Sequence, residues 1–195
     1  MIERAGSEPH LDTRGRIVSA GVRCLAREGV AGASMAVMAL EAGVSKALLH
    51  YHYHDRATLL AEIVERISEG TIERERMAVD ESDGVVGGLD ALWQWLAGEL
   101  DRGELAALAE LALVREGAVR RATRVAASER RRSAARTIER LFAELDLTPR
   151  VPAPLMADAT VAFVDGLALD VANGSIREPR VSYDIFWLAL LGLTE

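Results

Sequence analysis

An all-helical fold follows from three observations. Apolar residues recur at intervals of three and four along most of the chain, Leu, Ala, Val and Arg dominate while aromatic residues make up only 5%, and no segment alternates apolar and polar as a half-buried strand does. The expected organisation is a three-helix unit with a helix-turn-helix at residues 12–60, preceded by an unstructured arm at 1–11. A larger helical unit at 61–195 is expected to join it directly. At 195 residues with half of them apolar, the chain can bury a real core. Its single Cys excludes an intramolecular disulfide, and no N-terminal apolar run reads as a signal peptide or membrane span, so a cytoplasmic protein is expected.

The most informative stretch is 34–60, SMAVMALEAGVSKALLHYHYHDRATLL. Met38, Ala42, Val44 and Leu49 are spaced so that two short helices pack across a tight turn, and Ala39 stays small where they cross. Gly43 stands at the pivot, where the backbone after a helix often turns left-handed. Ser45 can then cap a helix built around Lys46 to His52, and Asp55 can cap the next one, beginning at Arg56. Such a motif can present its second helix to the major groove of DNA.

The segment AGVSKALLHYHYHDRATLL at 42–60 resembles the signature of the TetR/AcrR family of bacterial transcriptional regulators, close to AGVSKGxLYxHFxSKExLL. RIVSAGVRCLAREGVAGAS at 16–34 is similar to that family's first helix, its closing Gly and the polar start of its second helix. Three departures stand out: His50 replaces a usual Tyr, Tyr53 a usual Phe, and Arg56-Ala57 a usual Lys-Glu. Imidazole can still donate to a phosphate, and Arg keeps the positive charge. Helix context and resemblance together assign DNA contact to Ser34, Ser45, Lys46, Ala47, His50, Tyr51, His52 and Arg56. Lys46 is the only lysine, beside 22 arginines. His52 and Tyr53 are expected to pack partly against neighbouring helices.

Net charge is −7, an unusual balance for a nucleic-acid binder. Residues 1–60 hold seven Lys or Arg against six Asp or Glu, for +1, so the remainder carries −8. Exposed charges beyond about 10 Å are screened at 0.1 M salt, which makes the local balance the relevant one. His50, His52 and His54 predict no metal site: alternate helix positions point about 200° apart, and no acidic or Cys ligand stands beside them. Cys24, among Ile17, Gly21 and Leu25, reads as a small buried hydrophobe.

Beyond residue 60 the pattern is helical throughout. A stripe from Leu59 predicts a long helix to about Ala78, closed by the loop Asp80 to Gly84. Leu89, Leu92, Trp93, Leu96 and Leu100 form the next stripe, and Leu105, Leu108 and Leu111 another. Gly117 precedes a long helix ending before Pro149, Pro152 and Pro154. Pro154 is expected to open a helix through Val171, stopped at Asn173-Gly174, and Ser182 to cap a last one through Leu191. Nine arginines lie between Arg115 and Arg140, expected to form a solvated face with local ion pairs.

The last two helices carry more apolar residues than one protomer can cover. The resemblance implies that they pair in a homodimer through Phe163, Leu167, Val171, Phe186, Trp187, Leu188 and Leu191. It also implies a small-molecule effector in the helical core, for which Met77, Trp93, Trp95, Phe142 and Phe163 are apolar candidates. Partners are then palindromic double-stranded DNA, an effector and a second copy, with no cofactor, metal or membrane. Two other classes are an architectural DNA-binding protein without a ligand and an all-helical enzyme. The second finds no Gly-x-Ser-x-Gly, phosphate-binding Gly loop, His-Glu-x-x-His or Cys cluster to support it.

Overall fold

The computed structural model describes residues 9–81 and 84–194, with residues 9–12 and 84–86 described by their backbone alone. Among the described residues there are nine helices: α1 (Pro9–Gly32), α2 (Met35–Glu41), α3 (Lys46–His52), α4 (Arg56–Asp80), α5 (Gly84–Arg102), α6 (Glu104–Leu111), α7 (Gly117–Glu144), α8 (Ala153–Ala172) and α9 (Pro179–Leu191). Most of the arm expected at 1–11 lies outside the described residues, and Pro9 already opens α1. Residues 82 and 83 of the expected 80–84 loop also lie outside them. No helix of the described residues is long and apolar enough to cross a membrane.

Caps set the boundaries of the first helices. The hydroxyls of Ser34 and Ser45 accept from the amides of Val37 and Leu48, and Asp55 accepts from Thr58 N at 2.7 Å. Gly43 takes φ 65°, and the carbonyl of Ala42 beside it accepts from Arg16 at 2.9 Å. Farther on, α9 begins at Pro179, so Ser182 lies inside the helix rather than at its cap. Proline's fixed φ and missing N–H suit the first helical position, and no side-chain cap is needed there.

Two apolar clusters fill the molecule. The first gathers Ile17, Leu25, Met38, Leu49, Tyr53, Leu59, Leu60, Ile63 and Ile67, with Leu108, Leu111 and Val119 from α6 and α7. Full burial of such side chains stabilises by about 1.5–3 kcal/mol each. The second gathers side chains of α5 to α9 with Val79. The first cluster takes in α4 as far as Ile67, so the expected division at residue 60 falls inside a continuous helix. A Cβ on Gly21 would lie 2.3 Å from Ile63 Cδ1, so a larger residue there would force the end of the Ile63 side chain aside where α1 meets α4.

Near its end α1 departs from helical geometry at Gly29, with φ 67° and ψ 179°. The backbone groups released there find partners on two other helices. Glu110 of α6 accepts from Val30 N at 2.8 Å, while the guanidinium of Arg56 donates to the carbonyls of Val30 and Ala33, the latter at 3.1 Å. Arg56, expected as a free surface charge for DNA, is thus a half-buried clamp on the end of α1. Charged donors to backbone carbonyls contribute about 1.5–3 kcal/mol. Arg56→Ala should therefore lower unfolding stability by that amount in urea titrations, whereas a purely surface role would leave the midpoint unchanged.

Candidate nucleic-acid interface and helical cavity

On α3, Leu49 is the buried anchor, and Tyr53 just beyond it is fully buried. The opposite side presents Lys46, Ala47, His50 and Tyr51, all exposed, at positions i, i+1, i+4 and i+5. Tyr51 is 69% exposed. Ser34 and Ser45 are exposed at the starts of α2 and α3, where their oxygens accept cap bonds and their hydroxyl hydrogens stay free to reach a phosphate. His52, placed in the expected contact set and also expected to pack partly against neighbouring helices, is half-buried, with its ring edge-on to Tyr51 at 5.4 Å. Its position, two residues from His50, turns it away from the exposed row. Leu40, 83% exposed on α2, and Leu48 flank this row without any signal in the sequence, because an isolated exposed leucine reads like any other.

Behind this exposed row of α3, which with α2 forms the reading head of the expected DNA contact, salt links brace the scaffold. Arg14 pairs with Glu62 and lies over the Tyr53 ring at 5.1 Å, and its guanidinium holds the Glu62 carboxyl below the usual carboxylate range. Deeper in the helical body Arg74 of α4 binds Glu99 of α5 through two bonds, at 2.5 and 2.8 Å, and Glu104 of α6 at 2.7 Å.

The same α4 then reaches a cavity of about 50 Å³ enclosed by α4, α5, α7, α8 and α9. Of the five residues expected to meet a ligand, Trp95 and Phe163 line it. Met77 is 47% exposed on the outside of α4, Phe142 is packed in the core, and Trp93 lies under Arg180 and against Tyr183. Apolar character alone does not reveal which helix face a residue occupies. The cavity also has polar residues outside the expected set: Thr71 and Glu75 on α4, and Arg130 on α7. A signal for the first two is present, since Ile67, Thr71, Glu75 and Val79 form one stripe at intervals of four, with two polar residues on a buried face.

Arg130 also corrects the expectation of a wholly solvated arginine face. It is buried and donates to Asp165 at 2.6 Å, whereas Arg131 and Arg140 pair at the surface. Burial pushes the Glu75 carboxyl above its ordinary range, partly offset by the hydroxyls of Thr137 and Ser133 and by the charges of Arg130 and Arg136.

The proposed dimer residues divide in the same way. Leu167 and Trp187 are buried in their own protomer, Phe163 stacks on Phe186 with ring centroids 4.3 Å apart, and Val171 and Leu191 are partly buried. Of the seven, Leu188, 71% exposed, points fully outward. Residues adjacent in a helix differ by about 100° in direction, which separates Leu188 from Trp187.

A raised carboxyl pKa means that the stability it contributes is complete below the unfolded value and is lost as pH rises through the folded one. Glu75→Gln should therefore unfold later than the parent at neutral pH, with the difference vanishing near pH 4. Equal pH profiles for the two proteins would contradict the burial of this carboxyl.

Residues 17–63, spanning α1 to the first part of α4, match the family profile described as bacterial regulatory proteins, tetR family. No curated protein matches the chain. Among solved structures, a TetR transcription regulator from Haloarcula marismortui ATCC 43049 is 20% identical, with 95% of this chain and 100% of that one covered and a TM-score of 0.76. A TetR transcriptional regulator from Chloroflexus aurantiacus J-10-FL is 16% identical, covering 94% and 96%, with a TM-score of 0.76. A protein of Pseudomonas aeruginosa PAO1, proposed as a transcriptional regulator, is 27% identical, covering 96% and 92%, with a TM-score of 0.72. The exposed row on α3 and the family profile agree: residues 17–63 match the DNA-binding domain of the tetR family of bacterial regulatory proteins, and the nine helices of the described residues share the fold of solved TetR regulators.

Proposed function

We infer that the protein is a homodimeric, cytoplasmic repressor that leaves a palindromic operator when a small molecule enters the helical cavity. One observation carries this reading: α4, 25 residues without a break, starts at the clamp behind the reading head and lines the cavity with Thr71 and Glu75. At 1.5 Å per residue it is a rod of about 36 Å. A ligand that binds better to a conformation with α4 displaced would shift the population toward it, and a ligand without that preference would shift nothing. The functional division then lies near residue 60, with α4 belonging to both parts.

DNA contact is ascribed to Lys46, Ala47, His50 and Tyr51, supported by Ser34 and Ser45. Dimerisation is ascribed to the outward faces of α8 and α9. Val181, Ile185 and Leu188 are 47%, 62% and 71% exposed, and Leu155 is 59% exposed on α8. Exposed Ala159, Ala162 and Gly166 share the α8 face and would let a second copy approach closely. The family profile over residues 17–63 supports a regulator of transcription rather than an enzyme.

Selection from a random duplex library should return inverted repeats with half-site centres about 34 Å apart or a multiple of that. Affinity should fall steeply with salt. Lys46→Ala should weaken binding with little change in thermal stability, and should lower the salt slope by about one for each phosphate the lysine neutralises. Leu188→Glu should give a helical monomer by sedimentation that no longer holds the operator. A single asymmetric half-site, or a Leu188→Glu protein that remains dimeric, would overturn the arrangement.

A further inference from the structure

The cavity has a charge and shape of its own. Its walls are strongly aromatic: Trp95 from α5, Phe163 from α8, and Phe186 and Trp187 from α9. Glu75, 8% exposed, reaches it from α4, and its bonded partners are neutral hydroxyls, Thr137 at 2.9 Å and Ser133. The guanidinium in the cavity wall, Arg130, is already committed to Asp165 at 2.6 Å. Two carboxylates therefore face one buried guanidinium, leaving one negative charge unmatched when Glu75 is ionised. Arg136, which also acts on Glu75, is exposed and screened by water.

The neutral donors around the cavity are largely spent. Thr71, Thr137, Thr160 and Tyr183 already donate to Glu99, Glu75, Met156 O and Leu89 O. Trp95 Nε1 is buried without an acceptor. A buried carboxylate without a bonded cation is costly, and an aromatic wall attracts positive charge through the negative faces of its rings.

We propose that this cavity takes a small organic cation, an ammonium on an apolar or aromatic body, with the ammonium at Glu75 and the body between Trp95, Phe163, Phe186 and Trp187. The proposal rests on the cavity being the effector site and names the chemical class of that effector. An ether, hydroxyl or carbonyl oxygen on the ligand would satisfy Trp95 Nε1. The present space of about 50 Å³ is smaller than the roughly 150 Å³ that holds benzene in an engineered cavity. Entry therefore displaces side chains, and the stacked, half-buried pair Phe163 and Phe186 yields most easily. These two rings sit on α8 and α9, so ligand entry also presses on the helices ascribed to the dimer contact.

The test uses three probes of nearly one shape: benzylammonium, benzyl alcohol and phenylacetate, titrated calorimetrically into the full-length protein at neutral pH. Benzylammonium should bind at least tenfold tighter than either other probe, and Glu75→Gln should erase its advantage over benzyl alcohol. Preference for phenylacetate, equal binding of the alcohol, or no binding of benzylammonium would overturn the proposal. The ranking in the parent protein carries the test even if the Glu75→Gln variant fails to fold. Operator release is measured separately. Benzylammonium binding without release upholds the ligand class and overturns the effector role, whereas release by a neutral or anionic compound alone does the reverse.

Discussion

The break in α1 at Gly29 is the constraint on which the rest of the structure depends. A helix that leaves its geometry inside a packed body releases amides and carbonyls that must be paired. Here the pairing comes from two directions: Glu110 of α6 takes the Val30 amide, and Arg56 of α4 takes the carbonyls of Val30 and Ala33. The end of α1 is thereby fastened to both helices, and α2 and α3, which follow it directly, inherit their position from that junction. Neither α4 nor α6 can shift without straining bonds at the base of the reading head.

The other end of α6 is fastened too. Glu104 in its first turn binds Arg74 of α4, which also holds the buried Glu99 of α5. A helix of eight residues is thus tied by a carboxylate near each end, one to α4 and one to α1. Truncating one partner of such a pair leaves a poorly solvated charge behind, so these links resist piecemeal loosening. A displacement of α4 starting at Thr71 or Glu75 has a short, stiff route to α3. Under the proposed ligand control, α4 with its two attachments would be the element that both sites bias.

Local chemistry makes much of this legible from the sequence. Ser34, Ser45 and Asp55 cap where their side chains and the following apolar stripes say they should, and Gly43 adopts the left-handed turn assigned to it. Roles set by distant partners are hidden. Arg56 reads as a surface cation because the carbonyls it grips lie 23 and 26 residues earlier, at a break that the closing Gly of the first helix marks without telling which distant side chain pairs the freed groups. The apolar excess near the end of the chain is similarly ambiguous. Periodicity shows that α8 and α9 carry more apolar residues than one side can bury, yet it does not tell which face turns inward, so buried Trp187 and exposed Leu188 read alike. Glu75 and Arg130 are concealed by abundance, among 30 acidic and 22 arginine side chains, most of those described being solvated.

The central claim is that filling the cavity moves the reading helices through α4. Spin labels on Leu40→Cys, at the 83% exposed end of α2 and outside the ascribed DNA contacts, with Cys24 remaining fully buried, report the distance between the two helix-turn-helix units of the proposed dimer without needing the natural effector. An added Ala134→Leu substitution places extra volume in the cavity wall. The account predicts a shifted inter-label distance distribution together with weaker operator binding in the filled protein. An unchanged distribution and unchanged operator affinity, with the cavity demonstrably filled and the dimer intact, would contradict it.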